Sequence, residues 1–153
     1  MVRMDRPFVE KNRRELERLR KLVDRLDEEG LQARVNEQWT VAAVLGHMAF
    51  YDARARDLAE RLANGEEFSP ADAEPEDVDW INDAMRPLLH AIPLRSSAEI
   101  ALRTAEETDA RVASLGPETL AKLWPADPAS PLNPSRADHR GEHLDEIERA
   151  LGI

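Results

Sequence analysis

The spacing of the apolar residues restricts this chain more than any other feature. From Val9 to Glu29, the residues Leu16, Leu19, Val23 and Leu26 recur every three or four positions among alternating arginines and glutamates, and Gly30 closes the run. That period is one face of an α-helix. The stretch WTVAAVLGHMAFYDARARDLAERLANG repeats it, with Thr40 as N-cap, an inner stripe of Val41, Val44, Leu45 and Met48, and Asn64-Gly65 as the stop. It predicts a helix of about 23 residues, about 35 Å long at 1.5 Å per residue. A shorter helix is expected from Trp80 to Ala91. After Pro93, the capping-box pair Ser96 and Glu99 opens another helix that runs to about Leu115 and stops at Gly116-Pro117. These two pieces read as one broken third helix. The last helix is expected from Ser135 to Leu151.

Between these elements, the acidic residues 66–77 and the four-proline segment LWPADPASPLNP at 123–134 read as loops. The link GLQARVNEQW is longer than a minimal turn and has room for a crossover. Four principal amphipathic helices without a credible strand predict an all-α fold, a four-helix bundle.

At 153 residues the chain fits a single domain over residues 1–153 with a continuous core. Its formal charge of −10, with no basic stretch free of acidic residues, argues against nucleic acid as a partner. No apolar run approaches a membrane span, and MVRMDRPFVEKN lacks the apolar centre of a signal peptide, so a cytoplasmic location and no membrane partner are expected. The absence of cysteine rules out disulfides, thiolate metal sites and cysteine nucleophiles. A metal would have to be held by His, Asp and Glu.

The residues that stand out chemically are histidines. HRGEH, His139 to His143, has the H-x-x-E-H spacing of inverted zinc peptidases. A peptidase is not expected, because that chemistry takes a third carboxylate ligand from well downstream and only ten residues follow His143. The two imidazoles instead extend the stripe of Ile147 and Leu151, which points them inward, one turn apart and able to share an ion. Such a pair also arises by chance, so spacing alone leaves the choice open. Glu142, adjacent to His143, points about 100° away and reads as a solvated charge or a supporting base. His47 lies at the edge of the apolar stripe of the second long helix, where an unpartnered imidazole is costly. A facing pair of histidines would relieve that cost and make a nitrogen-rich site. His90 has no companion and reads as structural or surface.

Three segments together resemble the DinB/YfiT-like superfamily. Trp39 to Asp52, WTVAAVLGHMAFYD, is similar to its W-[ST]-x-x-x-[VI]-x-x-H-[LM]-x-x-x-[DE] segment. HRGEHLDEIERAL is similar to its closing H-x-x-x-H-L-x-x-I helix, and SSAEIALRTAEETDARVASLGPETL resembles its third-helix region. The likeness runs over roughly residues 8–152. It implies an up-down-down-up bundle with a long crossover and a divalent metal, Zn, Ni or Fe, held by His47, His139 and His143. It also implies a homodimer acting on a small molecule. Members with known activity include transferases and isomerases that use low-molecular-weight thiols such as mycothiol or bacillithiol. The mycothiol-dependent isomerases carry a further C-terminal domain, so the maleylpyruvate reaction is not expected here.

Three neutral imidazoles leave a coordination position open, as in catalytic sites. The functional expectation is therefore a metal-dependent enzyme, a thiol-dependent S-transferase, isomerase or hydrolase. The alternative is a non-enzymatic metal-binding or dimeric interaction bundle. Asp52, five residues after His47, is the candidate base or supporting residue. Arg140 or Arg54 is the candidate partner for the carboxylates of a thiol cofactor. The proline-rich segment, with Trp124, is the candidate cover for the metal, and Gly141 marks a place where a ligand or facing helix can come close.

Overall fold

The computed structural model describes residues 6–68 and 78–153. Seven helices are found there and no strand: α1 Pro7–Arg25, α2 Glu28–Gln32, α3 Val41–Ala63, α4 Asp79–His90, α5 Leu94–Ala113, α6 Pro117–Leu120 and α7 Arg136–Leu151. Of the expected 66–77 loop, residues 66–68 are non-helical and 69–77 lie outside the described residues.

Local chemistry explains most helix ends. Thr40 caps α3 by accepting from the Ala43 N–H at 3.1 Å, and at the far end Gly65 takes a φ of +85°, which favours glycine. The expected first helix to Glu29 instead stops at Arg25. Leu26 turns extended and dives into the core, and the Asp27 carboxylate accepts from the Gly30 N–H at 2.8 Å, starting the short α2. The Ser96–Glu99 capping box does not form. Helix α5 starts earlier, at Leu94, where extended Pro93 offers its carbonyl to Ser97 N–H at 3.1 Å. Ser135 provides no cap for α7 either. The cap comes from another helix: Asn12 of α1 accepts from Ala137 N–H through Oδ1 and donates to the Pro134 carbonyl through Nδ2, both at 2.9 Å.

Helices α1, α5, α3 and α7 form a closed ring of neighbours. Asn12 meets Ala137 while Arg18 meets Glu148, so α1 and α7 run the same way. On the other side, Arg56 pairs with Glu107 and Glu60 with Arg111, so α3 and α5 also run together. Across the ring, His47 faces His143 while Asp52 faces Arg136, so α3 and α7 are antiparallel. Helix α4 seats on α3 at Gly46, where an added Cβ would stand 3.1 Å from Leu89 Cδ2.

The interior has two apolar regions. One gathers Leu19, Leu22, Leu45, Met48, Leu144 and Ile147; the other gathers Leu58, Leu62, Val112, Leu115, Leu123 and Leu132. Between them every long helix contributes a polar residue: Asn12, Asp52, Thr108, Asp109, Arg136 and Arg140. Each of these polar groups has a partner. Arg140 forms a fork with both Asp109 oxygens at 2.9 Å, and Thr108 Oγ1 donates to the Asp52 carbonyl at 2.9 Å. No described helix is long and apolar enough to cross a membrane.

Candidate metal centre

The three histidines converge directly beside this polar layer. His47 comes from α3, one turn before Tyr51; His139 and His143 come from successive turns of α7. Ligand nitrogens of all three lie within 4.8 Å of one another. His143 Nε2 is 3.1 Å from His139 Nε2. Two nitrogens bound to one cation at about 2.0–2.1 Å stand roughly 2.9–3.4 Å apart for angles between octahedral and tetrahedral, so this pair already has the spacing of co-ligands.

His47 is 4 % exposed, and neither ring nitrogen has a hydrogen-bond partner. A buried imidazole left in that state is costly, and a bound cation would remove the cost. Burial, reinforced by the nearby His143, lowers the His47 pKa to about 4, and burial with the proximity of His143 and Arg136 lowers that of His139 to about 2. Both rings are therefore neutral near pH 7, the form that donates a lone pair to a metal. The donor set of three neutral nitrogens with no thiolate suits Zn²⁺, Ni²⁺ or Fe²⁺.

A carboxylate faces the back of one of these histidines. Glu146, one turn beyond His143, has Oε2 3.5 Å from His143 Nδ1, and this contact holds Glu146 below the usual carboxylate range. A proton on His143 Nδ1 would face this carboxylate and leave the Nε2 lone pair toward the other histidines. Glu142, the nearer carboxylate in sequence, is exposed. The signal for Glu146 was its three-residue step from His143, one helical turn on the same face.

Asp52 lies one layer deeper. Its Oδ1 accepts from Arg136 Nε at 3.0 Å and its Oδ2 from Arg140 Nη2 at 3.3 Å, and all three side chains are almost wholly buried. Arg140 is committed to Asp52 and Asp109, so the expectation that it binds a cofactor is overturned: the side chain does not reach the surface. Arg54 does not line the pocket at the histidines.

The opening lies on the opposite side from the expected cover. A pocket of about 200 Å³ reaches His47 and His143 and is walled by Trp39, Glu146 and the α4 residues Asp79 and Asp83. Tyr51 stacks edge-on to His47 at 4.9 Å and donates its hydroxyl to Asn82 Oδ1 at 3.0 Å, which ties α4 to the site. The proline-rich segment instead closes the other end of the bundle, where Leu123 and Leu132 join Leu58 and Leu62. Trp124 is largely exposed and takes no part in the pocket. His90 also stands apart: exposed, it contacts the Arg86 carbonyl through Nδ1 at 2.8 Å and accepts from Thr40 N–H through Nε2 at 3.4 Å.

A family model described as the DinB superfamily matches residues 12–146, a span that takes in all three histidines and the polar layer. The chain belongs to the DinB superfamily. No curated protein and no solved structure matches the chain. Within this DinB chain the histidines named from the sequence are the ones brought together, and the remaining walls come from Trp39, α4 and Glu146.

Proposed function

We propose that His47, His139 and His143 hold a divalent cation, and that the pocket above them is where a small electrophilic substrate meets a thiol or water. The observation that carries this reading is the convergence of three imidazoles, two of them 3.1 Å apart and His47 buried without a hydrogen-bond partner, with His47 and His143 lining an open pocket. A divalent cation at such a site supplies Lewis acidity that makes a thiol or water nucleophilic near neutral pH.

The chain's own groups have separable tasks in this scheme. Burial keeps His47 and His139 neutral. Glu146 fixes the tautomer of His143, and because it also lines the pocket it is the carboxylate best placed to accept a proton from an incoming thiol or water. Trp39 and Val44 give the pocket an apolar side that limits the access of water. Asp52 is assigned a positioning role through Arg136 and Arg140.

The test is turnover of an aryl halide such as 1-chloro-2,4-dinitrobenzene by zinc-, nickel- or iron-loaded protein with a panel of low-molecular-weight thiols. Metal-dependent product formation, lost in His143→Ala, is expected. Stoichiometric metal without turnover by any thiol would favour the binding-protein reading instead.

A further inference from the structure

We infer that the outer wall of this pocket recognises a positively charged substituent, an ammonium or guanidinium group, on the small molecule that enters. The inference rests on the reading of the pocket as the substrate site. Among the described residues, three carboxylates line the wall, Asp79 and Asp83 from α4 and Glu146 from α7, and no lysine or arginine lines it. Asp79 and Asp83 are four residues apart on one helix and so share a face, while Glu146 approaches from another helix. The polar remainder of the wall is carboxamide, Asn36, Gln38 and Asn82, which carries no charge.

Arg86 partly offsets this charge but does not offer a site for an anion. Its Nη1 is bound to Asp83 Oδ1 at 2.7 Å and to Gln38 Oε1 at 3.3 Å. The Trp39 indole, also in the wall, adds the aromatic face on which ammonium and guanidinium groups settle. An acidic helix face alone would be only a solvated surface. What marks this one as part of a ligand site is His47 at its floor, buried, unpartnered and lining the same pocket.

The arrangement gives the pocket two poles. Imidazole nitrogens at the floor suit a Lewis acid and hence the lone-pair end of a substrate, and the acidic, aromatic rim suits a cationic end. A thiol cofactor dominated by carboxylates is disfavoured, because Arg140, the arginine expected to bind it, is engaged with Asp109 and Asp52 in the interior.

The experiment uses full-length protein loaded with cobalt(II), whose visible spectrum reports ligand binding. Cysteamine and 3-mercaptopropionate, thiols of similar size and opposite charge, are titrated in the native protein and in the Asp79→Asn, Asp83→Asn double variant. The ratio of their affinities is expected to favour cysteamine in the native protein and to fall roughly tenfold in the variant. In the native protein the same preference should shrink at high salt. If both thiols perturb the spectrum but the ratio is the same in both proteins, the charge inference is overturned and the pocket reading stands. If neither thiol perturbs the spectrum of the cobalt-loaded native protein, the thiol site itself is wrong, and the inference falls with it.

Discussion

Asp52 Oδ1 and Arg136 Nε meet at 3.0 Å in the interior, linking the middle of α3 to the first turn of α7. The bond lies next to the histidines on both helices: Asp52 follows His47 by five residues and Arg136 precedes His139 by three. With Arg140 on the second oxygen, it fixes the separation and rotation of the two helices that carry the three histidines. Replacing Asp52 with Asn leaves two buried guanidinium groups with one carboxylate fewer. The expected loss of stability is about 3–5 kcal/mol, read from urea unfolding. A loss under about 1 kcal/mol would show that the polar layer tolerates the imbalance.

Metal-free protein should lose stability on mild acidification. The unfolded-state imidazole takes up its proton near pH 6.5, whereas folded His47 and His139 resist it down to about 4 and about 2. The unfolded chain therefore binds more protons below pH 6.5, so stability is complete above that pH and falls as pH drops toward 4. Urea unfolding between pH 7 and pH 4.5 in the presence of a chelator measures this. His47→Gln should flatten part of the slope, and an unchanged slope would deny His47 its buried neutral state.

Glu146→Gln should weaken metal binding without unfolding the protein. Glu146 is half-buried and its contact is with His143 Nδ1, so its loss frees the ring to rotate and removes the charge that supports its basicity. About a 10–100-fold rise in the dissociation constant is expected from competition with a chromophoric chelator. An affinity equal to that of the native protein would leave Glu146 without an orienting role.

Gly141→Ala should stabilise the bundle. The new Cβ would meet only the end of the Glu15 side chain, at 3.6 Å, an ordinary contact. The position is helical, so the gain is the propensity difference, about 0.5–1 kcal/mol, seen as a higher melting temperature. Destabilisation would mean that α1 and α7 approach more closely than this structure has them.

The parts of this fold that were legible in the sequence are those decided by neighbouring residues. Helix α3 runs from the Thr40 cap to Asn64-Gly65 as its sequence indicates, because both signals act within one turn. His139 and His143 face inward because Ile147 does. The misread boundaries, at Arg25 and Leu94, turn on choices between equally local options: Asp27 capping a new turn, and the Pro93 carbonyl replacing the Ser96 hydroxyl. The polar layer was beyond sequence reading. Asn12, Asp52, Asp109, Arg136 and Arg140 come from four helices, and although Asp52 and Arg140 stood out singly, nothing local pairs them with each other or with the rest. The pocket wall was misplaced for the same reason: proline content marks a loop but not the end of the bundle it covers, whereas Trp39 packs directly on His47 and α4 reaches the histidines through Gly46 and Asn82.

Metal content decides whether the three histidines form a site, measured on protein purified without a histidine tag, offered Zn²⁺, Ni²⁺ or Fe²⁺ in excess, then desalted. One divalent ion per chain is expected in the native protein, with loss of that ion in His47→Ala and in His143→Ala and the helical circular dichroism of both variants retained. Native protein that retains no metal, or variants that bind as much as the native protein, would contradict it.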